Sequence, residues 1–155
     1  MMIRQAKIAD AEQIQRLINQ FADEGRLLAR PLSEIYDNLR DFYVSEGDGQ
    51  QVKGVCALHI CWEDLAEIRS LAVTTETRGK GIGDQLIEAC LEEARQLGVR
   101  RVFLLTYIPT YFERAGFRAV DRSVLPHKIW ADCIRCVKFP ECDETGRATS
   151  RSAKP

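Results

Sequence analysis

The stretch Leu71-Ala72-Val73-Thr74-Thr75-Glu76-Thr77-Arg78-Gly79-Lys80-Gly81-Ile82-Gly83 decides how this chain is read. An apolar strand pattern runs into an Arg-x-x-Gly-x-Gly loop, and an amphipathic helix pattern follows at once. Three glycines let the backbone come close to a ligand, and a helix start offers unpaired N–H donors to a phosphate. Arg78 and Lys80 add positive charge at the same place, so the order strand, glycine loop, helix reads as a pyrophosphate cradle. The spacing Gly79-x-Gly81-x-Gly83 is not the Gly-x-Gly-x-x-Gly of a dinucleotide fold. Gly79-Lys80 is followed by Gly81 and not by Ser or Thr, which excludes a P-loop.

Downstream of the loop, Ile82, Leu86, Ile87, Cys90, Leu91, Ala94 and Leu97 share one helical face, and Gly98 is placed as the C-terminal cap. Upstream, Ala66 to Val73 is the strand that feeds the loop, and Val52 to Trp62 is its partner across a turn at Glu63-Asp64. Phe42-Tyr43-Val44 begins another strand, joined to that partner by a hairpin turn at Gly47-Asp48-Gly49. Nearer the N-terminus, Ile3 to Ile8 suits a first strand and Asp10 an N-cap. Ile14, Leu17, Ile18 and Phe21 mark a first helix ending near Gly25. A second helix starts at Pro31-Leu32-Ser33-Glu34, with Ile35, Leu39 and Tyr36 as its buried stripe. Val102-Phe103-Leu104-Leu105-Thr106 is nearly all apolar, as a central strand covered on both faces would be. A short helix from Thr110 to Ala115 and a strand from Phe117 to Val120 follow. The sum is an α/β (α+β) domain with antiparallel strands first and a parallel crossover through the glycine-loop helix later.

A chain of 155 residues, 45% hydrophobic and 29% charged, is one ordinary globular domain, spanning 1–142. Beyond Asp143 there is no apolar pattern, and 143–155 is expected to be a disordered tail. A net charge of -1 argues against nucleic acid or an anionic membrane as the main partner. No apolar run approaches the roughly 18 residues of a membrane helix, and the N-terminus lacks the apolar core of a signal peptide. A cytoplasmic protein is expected, with its six cysteines mostly reduced. Cys56, Cys61 and Cys90 fall inside apolar patterns, where cysteine behaves as a small hydrophobe. His127, Cys133, Cys136 and Cys142, in a Cys-rich segment 127–142, could supply the four ligands of a structural zinc. Free or redox-active thiols are the alternative reading of those cysteines.

Arg-x-x-Gly-x-Gly after a Leu-Ala-Val strand resembles the acetyl-coenzyme A (acetyl-CoA) motif of the GNAT acetyltransferase superfamily, over roughly residues 3–130. That resemblance implies a mixed central sheet of about six to seven strands flanked by helices, with the cofactor in a cleft between two splayed strands. It assigns main-chain contacts along the acyl and pantetheine arm to Leu71, Ala72 and Val73. Arg78, Gly79, Lys80, Gly81, Ile82 and Gly83 are assigned to the pyrophosphate. Acetyl transfer to an amine also needs a base for the attacking ammonium and a proton for the departing thiolate. Glu67 stands where several superfamily members keep a catalytic glutamate, with a solvated residue or an Arg69 ion pair as its ordinary alternative. The superfamily's usual acid, a tyrosine four residues before Gly-Phe, is Phe112 here, which leaves the neighbouring Tyr111, Tyr107 or water for that step. A homodimer paired through strand edges is the superfamily's default.

A closer resemblance, to the acetyltransferase domain of N-acetylglutamate synthases, is carried by several segments. They are Leu27-Leu28-Ala29-Arg30-Pro31-Leu32-Ser33-Glu34-Ile35-Tyr36, Cys56-Ala57-Leu58, Leu104-Leu105-Thr106, Phe112-Glu113-Arg114 with Gly116-Phe117, and Leu125-Pro126. In that subfamily too a phenylalanine stands at the position of Phe112. The implied reaction acetylates the α-amine of glutamate, or of a close relative such as glutamine, at the start of arginine synthesis. A dicarboxylic substrate wants guanidinium and ammonium partners. Arg30 is the first candidate, then Arg69 and Ser70 on the central strand, then Lys128. Two alternatives stay open: a GNAT enzyme acting on another small amine or a protein N-terminus, and a non-catalytic CoA-binding sensor.

Overall fold

A computed structural model describes residues 2–25, 27–106, 109–119 and 149–152. Its strands are β1 (Met2–Gln5), β2 (Phe42–Glu46), β3 (Val52–Trp62), β4 (Leu65–Val73), β5 (Arg101–Leu104), β6 (Arg118–Ala119) and β7 (Thr149–Ser152). The helices are α1 (Ala11–Asp23), α2 (Leu32–Asp37), α3 (Ile82–Leu97) and α4 (Pro109–Arg114). The strands form one sheet in the order β1-β2-β3-β4-β5-β7-β6. The β1–β4 pairings are antiparallel, and α3 carries the chain over to β5, which runs parallel to β4. The mixed sheet with a single parallel crossover is therefore as the residue patterns imply.

Two apolar layers sandwich the sheet. Leu86, Ile87, Cys90, Leu91 and Ala94 of α3 pack on Cys56, Leu58, Ala66, Ile68, Val102 and Leu104. On the other face, Ile14, Leu17, Ile18 and Phe21 of α1 and Ile35 of α2 pack on Phe42, Val44, Val55, Ala57 and Ala72. Tyr36 is exposed, so the α2 stripe is narrower than expected. β5 is central: Val102 and Leu104 meet the α3 layer, while Phe103 turns to Leu65. Gly98 closes α3 in the left-handed region (φ 85°), its N–H donating to Arg95 O and that of Val99 to Ala94 O.

Two local expectations change. Asp10 stands at the N-cap position of α1, but with helical backbone angles (φ −84°, ψ −15°) its side chain makes no capping bond to that helix. Its carboxylate instead accepts the Lys7 N–H at 2.7 Å and the Arg4 guanidinium at 2.8 and 3.0 Å. The second change is at the C-terminus. Residues 149–152, within the segment expected to be a disordered tail, form β7 between β5 and β6. Strand pairing uses backbone groups, so a polar stretch can complete a sheet without an apolar pattern.

One irregularity shapes the functional region. Ser70 has φ 56°, and the β3–β4 register steps from Ala57↔Arg69 to Val55↔Ala72. One extra residue is thereby inserted in β4, a bulge that reverses which side chains face which layer. Before it Ala66 and Ile68 face α3; after it Leu71 and Val73 do, and Ala72 turns to α1.

Candidate active site

Pairing between β4 and β5 is short. It covers Leu65↔Arg101, Ala66↔Val102 and Glu67↔Phe103, while β4 runs on to Val73. The two strands splay beyond Glu67 and open a cavity of about 910 Å³ between them. Its walls come from β4 (Glu67 to Val73), the segment after β5 (Leu104, Leu105, Thr106) and α4 (Tyr111, Phe112). The glycine loop, α1 (Phe21) and the segment before α2 (Leu27, Leu28, Arg30) complete it.

The glycine loop is built as the sequence implies. Gly79 and Gly81 take φ of 82° and 77°, and a Cβ at either would meet nothing within 4 Å. Backbone angle, not crowding, is what calls for glycine at these two positions. The first i→i−4 bond of α3 is Gln85 N–H to Gly81 O at 3.0 Å. The amides of Ile82, Gly83 and Asp84 therefore precede intrahelical bonding and are available to an anion. Arg78 lies with its guanidinium 5.1 Å from the Phe21 ring centroid and its Nε 3.4 Å from Val73 O. Leu71, Ala72, Val73, Arg78, Gly79, Gly81, Ile82 and Gly83 all line the cavity; Lys80 is exposed and does not.

Glu67 is 9% exposed and accepts a hydrogen bond from Arg69 Nε at 2.6 Å. The ordinary alternative for Glu67, an Arg69 ion pair, is thus present, and both residues also face the cavity. Arg30 reaches the same space, held by its backbone N–H to Asn19 Oδ1 at 3.2 Å. Among the described residues its side chain pairs with exposed Glu34 at a long 3.4 Å, a contact that a bound carboxylate can replace. Ser70, at the bulge, lines the cavity beside Arg69. Lys128 and the cysteine segment with His127, Cys133, Cys136 and Cys142 lie outside the described residues, as does Tyr107. Among the described residues no group of three or more His, Cys, Asp or Glu is arranged to hold a metal.

Tyr111 lines the cavity, and its hydroxyl is held by the first turn of α3. Its hydroxyl donates to Asp84 Oδ1 at 2.9 Å, and burial with that carboxylate pushes the phenol pKa well above its ordinary value. A Cβ on Gly83 would come within 2.5 Å of the same hydroxyl, so the third glycine is needed for close approach. Phe112, at the position of the superfamily tyrosine, is buried edge-on between Tyr111 and Phe117. Asp84, Thr77 and Thr106 are wall residues that the sequence reading missed. The Asp84–Tyr111 pair spans 27 positions and has no local signature.

Residues 10–117 match the acetyltransferase (GNAT) family, and the chain belongs to that family. It is 42% identical over 142 residues to an uncharacterized N-acetyltransferase of Chlorobaculum tepidum, covering 92% of this chain and 91% of that one. An amino-acid acetyltransferase of Mycobacterium tuberculosis is 32% identical over 136 residues, covering 86% and 78% respectively. Among solved structures, a Mycobacterium tuberculosis protein in complex with CoA and NLQ superposes with a TM-score of 0.82 at 28% identity, over 97% of each chain. Neisseria gonorrhoeae N-acetylglutamate synthase, complexed with coenzyme A and N-acetyl-glutamate, gives 0.88 at 26% identity over 99% of this chain and 35% of that one. The protein is accordingly an acetyl-CoA-dependent N-acetyltransferase with the GNAT fold. No described helix is long and apolar enough to cross a membrane.

Proposed function

We propose that the protein acetylates the α-amine of L-glutamate, or of a close relative such as glutamine, as in the first step of arginine synthesis. The observation that carries this reading is one cavity walled by the glycine loop, a buried carboxylate (Glu67) and two guanidinium groups (Arg30, Arg69). Relatives named amino-acid acetyltransferase, and a neighbour solved with N-acetyl-glutamate, support it.

In this reading the loop amides of 79–83 and Arg78 hold the diphosphate. The stretch of β4 from Ile68 to Val73, open on its β5 side, lies along the pantetheine arm, and bound acetyl-CoA supplies an activated acyl group. Arg30 and Arg69 take the carboxylates of the amino acid and aim its nitrogen at the thioester. Glu67 accepts a proton as the ammonium attacks. The thiolate leaves without Tyr111, whose hydroxyl anchors the first turn of α3.

Thiol release from acetyl-CoA, measured across the common free amino acids and a set of peptides with free N-termini, tests the proposal. Glutamate or glutamine is expected to give the highest kcat/KM. Turnover confined to peptides, or to amines without a carboxylate, would end it.

A further inference from the structure

The ammonium of the substrate loses two N–H protons on becoming an amide. One ends on the coenzyme A sulfur as a thiol, and the other must leave the site. Glu67, proposed above as the acceptor, is 9% exposed, and its carboxylate faces a cavity that the two substrates fill. A base so enclosed needs a way to pass its proton on before the next turnover.

The sheet provides one on the far side of β4. His59 of β3 is the direct cross-strand partner of Glu67. Directly opposed residues have Cβ atoms roughly 4.5–5.5 Å apart, within reach of a hydrogen bond through one water. The ring is partly open to solvent, its side chain 32% exposed. Its Nδ1 is 2.8 Å from Asp41 Oδ2, on the turn Leu39–Asp41 that leads into β2. An Nδ1–H donated to that carboxylate leaves Nε2 as the proton acceptor, the orienting logic of a carboxylate–histidine pair. Among the described residues, the charged groups recorded at His59 and its cross-strand partner are Asp41, bonded to the ring, and Glu67 with its partner Arg69 from β4.

We infer that His59, oriented by Asp41, relays the proton from Glu67 to bulk solvent. The Glu67 O–H bond breaks as an Nε2–H bond forms, and the imidazolium then gives that proton to water or buffer, restoring both groups. His59 touches no substrate; it acts through Glu67 as a positioning and relay residue. The inference rests on Glu67 being the base.

Steady-state kinetics of His59→Gln, Asp41→Asn and Glu67→Gln, with and without added imidazole, test it. His59→Gln is expected to lower kcat about tenfold while both KM values stay within about twofold, and imidazole should restore much of the loss. Asp41→Asn should show a smaller loss of the same kind. A His59→Gln rate within twofold of wild type overturns the relay, as does a loss that imidazole fails to rescue. The Glu67→Gln arm separates the two claims. Full activity there removes the base and the relay with it; an inactive Glu67→Gln beside a fully active His59→Gln removes the relay alone.

Discussion

At the scale of single residues, the account turns on which charges face the cavity. Among the described residues Arg30 has a long, exposed partner in Glu34, which a substrate carboxylate can displace. Arg30→Ala is expected to raise KM for the amino acid about ten- to a hundredfold, in line with the loss of one charge-assisted hydrogen bond of roughly 1.5–3 kcal/mol. KM for acetyl-CoA should stay within about twofold, and kinetics with each substrate varied in turn would show it. Gly83 is the other residue under a sharp constraint, since a side chain there collides with the Tyr111 hydroxyl. Gly83→Ala should displace Tyr111, break its bond to Asp84 and weaken acetyl-CoA binding about tenfold by calorimetry. Retained affinity would show that the loop does not depend on this contact. Arg78 and the glycines were legible because a short local motif holds them. Asp84 was not, because its meaning comes from a tyrosine that the fold brings back to it.

At the scale of elements, the bulge in β4 does the most. A strand of strict period two would place Leu71 and Val73 on the face opposite Ile68, away from α3. Ser70 at φ 56° inserts one residue and keeps them on the α3 side, while exposing the strand's inner edge where β5 diverges. Ser70→Val should lower stability by about 2 kcal/mol in denaturant unfolding, because a β-branched residue resists the left-handed region. Ser70→Gly should be neutral or slightly stabilising. The alternation in Leu65–Val73 could not announce the bulge: Leu71, Ala72 and Val73 are all apolar, so either facing suits them.

The junction of β1 and α1 depends on Asp10, buried and bound by Arg4 and the Lys7 N–H. The hydrogen bond from Arg4 is the main cause holding its carboxyl pKa below the usual value of 3.8. A depressed folded-state pKa contributes stability that is present above the unfolded value and lost as pH falls through the folded one. Asp10→Asn should therefore cost about 2 kcal/mol at neutral pH. Denaturant unfolding should show that difference shrinking below about pH 4; a constant difference would contradict the linkage.

At the scale of the whole molecule, function follows from one departure from regularity: two parallel strands that begin paired and then part. Apolar periodicity made α1, α3, β3, β4 and β5 legible, since each buries a face against one of two layers. β7 escaped because strand pairing can form through backbone groups, and the apolar count of 149–152 carries no trace of it. The cleft itself was accessible only through resemblance, because the divergence of β4 from β5 is a property of neither strand by itself. A crystal structure with coenzyme A and glutamate measures this most directly. The account predicts the diphosphate on the amides of 79–83, the pantetheine arm along Ile68 to Val73, and the amino-acid carboxylates at Arg30 and Arg69. Coenzyme A bound away from the parting of β4 and β5, or glutamate absent from the two arginines, would contradict it.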